Sequence, residues 1–208
     1  MSGVGTVTLA NAAPSLLLTS RVASSRLRNV ALAGFYALEE LGAGSVVGIL
    51  DIDAHHGNGI AHLVQAEERI RYVSIHERRG GGGVQRPEYD PRSPDESDKG
   101  PKSNLKNIEL EKGSDWASGY ESALSEALEF LRSSDVLLVA AGFDALREDP
   151  TSSLRLTVDD FNKVARAISA MGIPLAVGLE GGYTQKLEGA SGSLLSDCVL
   201  SFAEGLQK

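Results

Sequence analysis

Val46-Val47-Gly48-Ile49-Leu50, followed at once by Asp51-Ile52-Asp53-Ala54-His55-His56-Gly57-Asn58-Gly59, is the stretch on which the reading of this chain turns. A short apolar run that ends in polar residues reads as a strand buried on both faces. Immediately upstream, Val30, Ala33, Phe35, Leu38 and Leu41 suit an amphipathic helix that Gly42 and Gly44 bring to an end. The same rhythm recurs downstream, predicting strands at 71–75, 136–140 and 174–178 and helices at 116–131, 159–171 and 193–203. Strands alternating with helices of about 12 residues predict an α/β fold, with a mainly parallel sheet and helices on both faces.

In such sheets ligands bind beyond the carboxyl ends of the strands. Polar residues that follow apolar runs are therefore the first candidates for function. Three places qualify: Asp51 to Gly59, Ala141-Gly142-Phe143-Asp144, and Glu180-Gly181-Gly182-Tyr183. Side chains two apart on an extended segment share a face, so Asp51, Asp53 and His55 can project together while His56 faces the other way. Aspartate and imidazole are suitable zinc ligands, and a catalytic zinc site needs three protein ligands and one open position. Asp144, at the end of a later strand, is the natural third ligand. A single aspartate at a strand end is ordinarily a turn former or a helix cap; three such groups in this arrangement favour a metal site.

Composition narrows the function classes. The 208 residues, 42% hydrophobic and 23% charged, suit one globular domain. A net charge of −8 argues against a surface that neutralises phosphates, so neither nucleic acid nor an anionic membrane is an expected partner. No run approaches the roughly 20 apolar residues of a membrane span. Cys198 is the single cysteine, which excludes an intrachain disulfide and a CxxC zinc site and makes a reducing, intracellular compartment the default. The first 38 residues hold no Asp or Glu, and residues 1–28 carry Arg21, Arg26 and Arg28 among many Ser and Thr. That balance fits either a plastid or mitochondrial transit peptide or an untidy start, so 1–28 are expected to be poorly structured and 29–208 to form the catalytic domain; nucleus, cytoplasm and organelle stay open. Residues 78–104, rich in Gly, Pro, Arg and Asp, read as a long loop; Gly80 to Gly83 lack the companions of a phosphate-binding motif.

Asp-Ile-Asp-Ala-His-His-Gly-Asn-Gly, Ala-Gly-Phe-Asp-Ala-Leu-x-x-Asp-Pro and Glu-Gly-Gly-Tyr, in this order, resemble the signature motifs of the histone deacetylase and acetylpolyamine amidohydrolase superfamily. The resemblance runs from about Asn29 to the C-terminus and is closer to class II and bacterial-type members, through Asn58 and Ser74-Ile75-His76-Glu77. It implies an arginase/deacetylase-like fold, incomplete at the N-terminus, and a zinc-dependent deacetylase. Asp53, His55 and Asp144 would hold Zn²⁺, which polarises the acetyl carbonyl and activates water. Tyr183 would donate to the developing oxyanion, with Gly181 and Gly182 freeing the backbone to place its ring. Asp51, Ser74 and Ile75, with the backbone of Asp53 and His55, match positions that hold a structural K⁺. The substrate would be acetyl-lysine in a histone or other protein, or a small cationic acetyl-amine such as an acetylated polyamine.

Two carboxylates and one neutral imidazole cancel the charge of Zn²⁺, so the metal acidifies water less than an all-imidazole site would, and a separate general base is required. In the family that base is a His-His pair upstream of the first helix, one member oriented by the residue matching Asp51. The four histidines here are His55, His56, His62 and His76, so the pair is absent from this sequence. The Gly-Phe that usually precedes the Asn-Val-Ala helix is also absent, and the 78–104 loop offers Tyr89 but no Phe as a tunnel wall. His56 is expected to be buried, His62 to lie on a helix surface, and His76 either to line the site or to orient a neighbouring loop. Weak or no turnover by this chain alone is the expectation, with self-association through uncovered apolar surface as a second. Two further readings compete: an arginase-type ureohydrolase, disfavoured because Gly57 stands where a second metal needs a carboxylate, and a non-catalytic zinc-stabilised interaction module. An upstream segment that restores the missing motifs would return the chain to the first reading.

Overall fold

The computed structural model describes residues 10–11, 13–14, 17–19, 29–78, 99–183 and 193–207. Tyr89, Gly80 to Gly83 and most of the 78–104 loop lie outside the described residues, as do Arg21, Arg26 and Arg28 and most of 1–28. The elements, in chain order, are β1 (Ala10–Asn11), β2 (Ala13–Pro14), β3 (Leu17–Thr19), α1 (Asn29–Leu41), β4 (Val47–Asp51), α2 (Asn58–Val64), β5 (Ile70–Glu77), β6 (Leu105–Leu110), a π-helical turn (Trp116–Tyr120), α3 (Glu121–Leu131), β7 (Val136–Ala141), α4 (Val158–Ser169), β8 (Leu175–Leu179) and α5 (Leu194–Leu206). β1 and β2 pair antiparallel with each other, and the other six strands form one sheet in the order β3-β8-β7-β4-β5-β6, every neighbour parallel.

The alternation of side chains along a strand divides the core into two layers. Val47 and Ile49 of β4, Ile70 and Tyr72 of β5, and Leu138 and Ala140 of β7 pack with α1 and α2 through Val30, Leu38, Ile60 and Val64. Leu50, Val73, Ile75, Leu137, Val139 and Ala141 face the opposite way, onto α3, α4 and α5. On α4 the buried positions Phe161, Val164, Ala165 and Ile168 follow the helical period, and Thr157 opens the helix with a reciprocal capping pair to Asp160. All five residues of β4 are buried, so the strand that carries the Asp-Ile-Asp motif lies at the centre of the fold. Among the described residues no helix is long and apolar enough to cross a membrane.

Two local departures from the sequence reading have clear physical origins. β6 was not expected, because Lys106, Asn107 and Glu109 interrupt its apolar pattern; as an edge strand it buries only Leu105 and Leu110. The helix expected over 116–131 is instead a π-helical turn followed by α3, with Gly119 inside the turn departing from helical backbone.

The approach to β6 is fastened by one amide. Asn104, 3% exposed, points its Nδ2 at the carbonyls of Val64 (3.0 Å), Glu67 (3.1 Å) and Ile70 (2.9 Å), which line the turn from α2 into β5. Three acceptors around one donor group fix the orientation of the amide. Asn104→Ala is expected to destabilise the chain by about 2 kcal/mol, since it strands buried carbonyls, and Asn104→Asp by more, since it sets a carboxylate against them. Urea unfolding of the two variants checks the order.

Candidate metal centre

The centre forms where the chain leaves β4 and β7. Beyond Asp51 the backbone makes two successive side-chain-closed turns: Asp53 N donates to Asp51 Oδ1 (3.1 Å) and His55 N donates to Asp53 Oδ1 (2.9 Å). Asp144 reaches across from the segment after β7 and accepts from Ala54 N at 2.8 Å, which fixes one carboxylate oxygen and leaves the other facing His55. Asp53, His55 and Asp144 each offer a ligand atom, and these atoms all lie within 4.8 Å of one another. The side chain of Asp144 is fully buried, that of Asp53 is 19% exposed and that of His55 is 37% exposed, so the cluster has a closed floor and one accessible flank.

The hydrogen bonds of His55 show what the cluster accommodates. Nδ1 lies 2.8 Å from Asp144 Oδ2 and 3.1 Å from Asp53 Oδ1, and Nε2 lies 3.1 Å from the carbonyl of Thr151. A carbonyl can only accept, so Nε2 carries a proton; with ionised carboxylates on the other side, Nδ1 carries one too. The hydrogen bonds that Asp144 and Asp53 accept accordingly raise the imidazole pKa to about 10 against the opposing effect of burial. Burial pushes Asp144 up to about 6, partly offset by its bond to His55. Asp53 is also pushed up by burial, but its bonds to His55 outweigh this and hold it below the usual carboxylate range. A cation at Nδ1 would take the place of that proton between two carboxylates, while the Thr151 carbonyl holds the far nitrogen protonated. Metal-ligating histidines are ordinarily oriented by such a contact. The donor set therefore fits a divalent metal.

The metal-free chain makes a pH prediction. Because the folded pKa of His55 is raised from 6.5 to about 10, its pairing contributes fully below the ordinary value and is lost as pH rises through about 10. The unfolding midpoint of metal-free protein is thus expected to fall on that alkaline side, and the His55→Gln variant to lack this component. Denaturant melts across the range compare the two.

Asp51 does not join the cluster. It is 2% exposed and turned toward β5, where Tyr72 Oη donates to its Oδ2 at 2.8 Å and contacts the Gly57 carbonyl at 3.3 Å. Burial first, and the charge of Asp53 second, raise Asp51 well above the usual carboxylate value. Ser74 is the register partner of Asp51 on the neighbouring strand, is fully buried, and lies 2.8 Å by its Oγ from His76 Nδ1. Ile75 is in the apolar core. His56 is buried, as the alternation argument expects, with its ring 4.9 Å from that of His76. His62 is half-buried near the end of α2.

The Glu-Gly-Gly-Tyr segment leaves β8 and closes over the cluster. Gly181 N donates to Asp53 Oδ2 at 3.1 Å, and Gly182 adopts φ 134°, a region that residues with a β-carbon rarely occupy. Tyr183 follows, 39% exposed as a residue; partial burial, then the charges of Asp53 and Asp144, raise its phenol pKa. Glu180, half-buried beside it, is raised by burial and by the charge of Asp53. The sequence reading missed Tyr72 and Thr151. Neither has a local signature, because each acts on the motif from a different part of the chain.

The sequence profile of the histone deacetylase domain family matches residues 26–196, and the chain belongs to that family. Acetylpolyamine amidohydrolase 2 of Pseudomonas aeruginosa is 35% identical over 158 residues, covering 74% of this chain and 44% of its own length. Type-2 histone deacetylase 2 of Dictyostelium discoideum is 29% identical over 171 residues, covering 76% of this chain and 10% of its own. Among solved structures, acetylpolyamine aminohydrolase from Burkholderia pseudomallei superposes with a TM-score of 0.67 at 29% identity, over 86% of this chain and 48% of that one. The chain thus spans less than half the length of these relatives. The α/β fold read from the sequence is the fold of this family.

Proposed function

We propose that the chain carries the metal-holding side of a zinc-dependent amide hydrolase that removes acetyl groups from N-acetylated amines. The observation that carries this reading is the convergence of Asp53, His55 and Asp144 within 4.8 Å, with the far nitrogen of His55 held by a carbonyl. Zinc bound to these three residues would supply Lewis-acid polarisation of the acetyl carbonyl. Tyr183, placed by the Gly181-Gly182 turn, would donate its phenol proton in a hydrogen bond to the oxygen on which negative charge develops. By the family resemblance, Asp51 and Ser74, register partners on adjacent strands, with Ile75, would hold a structural K⁺ beside the site.

Acetyl-lysine in a histone or other protein and acetylated polyamines present the same group, an acetyl amide on a flexible cationic chain, and a protein of net charge −8 attracts either. The named relatives include both an acetylpolyamine amidohydrolase and a histone deacetylase. None of the four histidines precedes Asp51, so these 208 residues supply no upstream His-His base. General acid–base catalysis contributes on the order of 10² to 10⁴ in rate, and turnover by the chain alone is expected to be reduced by about that factor. The same observation favours a second reading, a zinc-stabilised interaction module without turnover.

Metal content and turnover separate the readings. One zinc per chain is expected, with slow hydrolysis of an acetyl-lysine peptide or of an acetylated polyamine that disappears in Asp144→Asn. Zinc without hydrolysis of either supports the interaction module, two metals per chain support a ureohydrolase-type centre, and hydrolysis at ordinary enzymatic rates would overturn the expected deficit.

A further inference from the structure

One residue of the Asp-Ala-Leu-x-x-Asp-Pro motif is left without a task by the metal centre. Asp149 is 4% exposed and both of its oxygens are engaged. Oδ1 accepts from Thr151 N at 2.9 Å and Thr151 Oγ1 at 2.6 Å. Oδ2 accepts from the backbone N–H of Tyr183 at 2.6 Å. Thr151 is the residue whose carbonyl receives Nε2–H of His55 at 3.1 Å. A single buried carboxylate thus joins the turn that orients the imidazole to the turn that carries the phenol.

We propose that Asp149 is a positioning residue that locks the orientation of His55 and the placement of Tyr183 to one another. The inference rests on the proposed reading of Asp53, His55 and Asp144 as zinc ligands and Tyr183 as the oxyanion donor. Thr151 can hold Nε2 protonated, and so keep the Nδ1 lone pair for the metal, while its own turn is fixed; its N–H and its hydroxyl both bond Asp149, and Ser152 Oγ ties the next residue to the Asp144 carbonyl at 2.7 Å. Tyr183 follows two glycines, which restrain the backbone little, so the charge-assisted bond at its N–H defines where the side chain starts. An aspartate is suited to both tasks because an ionised carboxylate accepts on both oxygens. An asparagine accepts on one only and presents a donor to one of the two N–H groups.

Asp149→Asn keeps the shape of the side chain and breaks one arm of the brace. It is expected to lower zinc affinity about 10- to 100-fold, the range typical of groups that orient metal ligands, while the far-ultraviolet spectrum stays that of wild type. In zinc-loaded wild-type protein the ring nitrogens of His55 should give the ¹⁵N signals of a single Nε2–H tautomer, and the Tyr183 amide proton should lie far downfield. In Asp149→Asn the tautomer signal should become mixed or the amide should move upfield. Wild-type zinc affinity with both signals unchanged in folded Asp149→Asn would overturn this inference alone. A wild-type chain that takes up no zinc would overturn the metal reading and the brace with it. If Asp149→Asn does not fold, Thr151→Val decides: it removes only the 2.6 Å hydroxyl bond and is expected to weaken zinc binding several-fold. Unchanged affinity in that variant would overturn the proposal.

Discussion

Replacement of Asp144 by asparagine is expected to leave the chain folded and to lower its affinity for zinc more than about 100-fold, a larger loss than changes to groups behind the ligands produce. The two carboxylate oxygens of Asp144 have separate tasks. Oδ1 accepts from Ala54 N at 2.8 Å and so holds the turn that presents His55; Oδ2 faces His55 Nδ1 at 2.8 Å. Asparagine can keep the first bond with its carbonyl oxygen but sets an uncharged amide in the second position, where a metal needs an anionic donor. Alanine loses both, and the orphaned Ala54 N–H should cost a further 1–3 kcal/mol or so in stability. Zinc titration against a chromophoric chelator, paired with denaturant melts, separates the two variants. An asparagine variant that binds zinc like wild type would remove Asp144 from the ligand set.

The second large effect concerns a residue without a side chain. Gly142 lies at the end of β7, where an added Cβ would be 2.5 Å from the Asp53 Cα and 2.8 Å from its Cβ and Oδ2. Because the nearest atom is backbone, no rotamer change relieves the clash. Gly142→Ala is expected to destabilise the chain by about 3 kcal/mol, the upper part of the overpacking range, and to weaken zinc binding in whatever fraction stays folded. Urea unfolding with and without zinc checks both parts. A fully stable alanine variant would mean that β4 and β7 approach less closely at their carboxyl ends than the structure shows.

Much of the fold was readable in the sequence because the central strands are buried on both faces, and such strands read as continuous apolar runs. The runs beginning at Val47 and Val136 are of this kind. β6 escaped notice for the complementary reason: at the sheet edge its middle residues meet solvent, so Lys106 and Glu109 carry no apolar signal. At the site, Asp53 and His55 could be paired from their spacing and Asp144 from its place after a strand. The spacing argument also grouped Asp51 with them, yet the strand ends at Asp51 and its side chain turns to Tyr72, a residue of the neighbouring strand. Contacts of this sort depend on strand register and leave no local pattern. The role of Asp149 was hidden in the same way: the motif contains the residue, but its partners at 151 and 183 meet only in the folded chain.

The backing of the proposed ligands by bare backbone limits how such a centre can be altered. Gly142 abuts Asp53, and Gly181 lies against the carboxylates of both Asp53 and Asp144. A side chain at either glycine would meet these aspartates, so neither carboxylate tolerates a β-carbon at position 142 or 181 without shifting. Of the three side chains, that of His55 is the most accessible. A change made to the proposed centre therefore meets bare backbone behind Asp53 and Asp144, and solvent chiefly beside position 55.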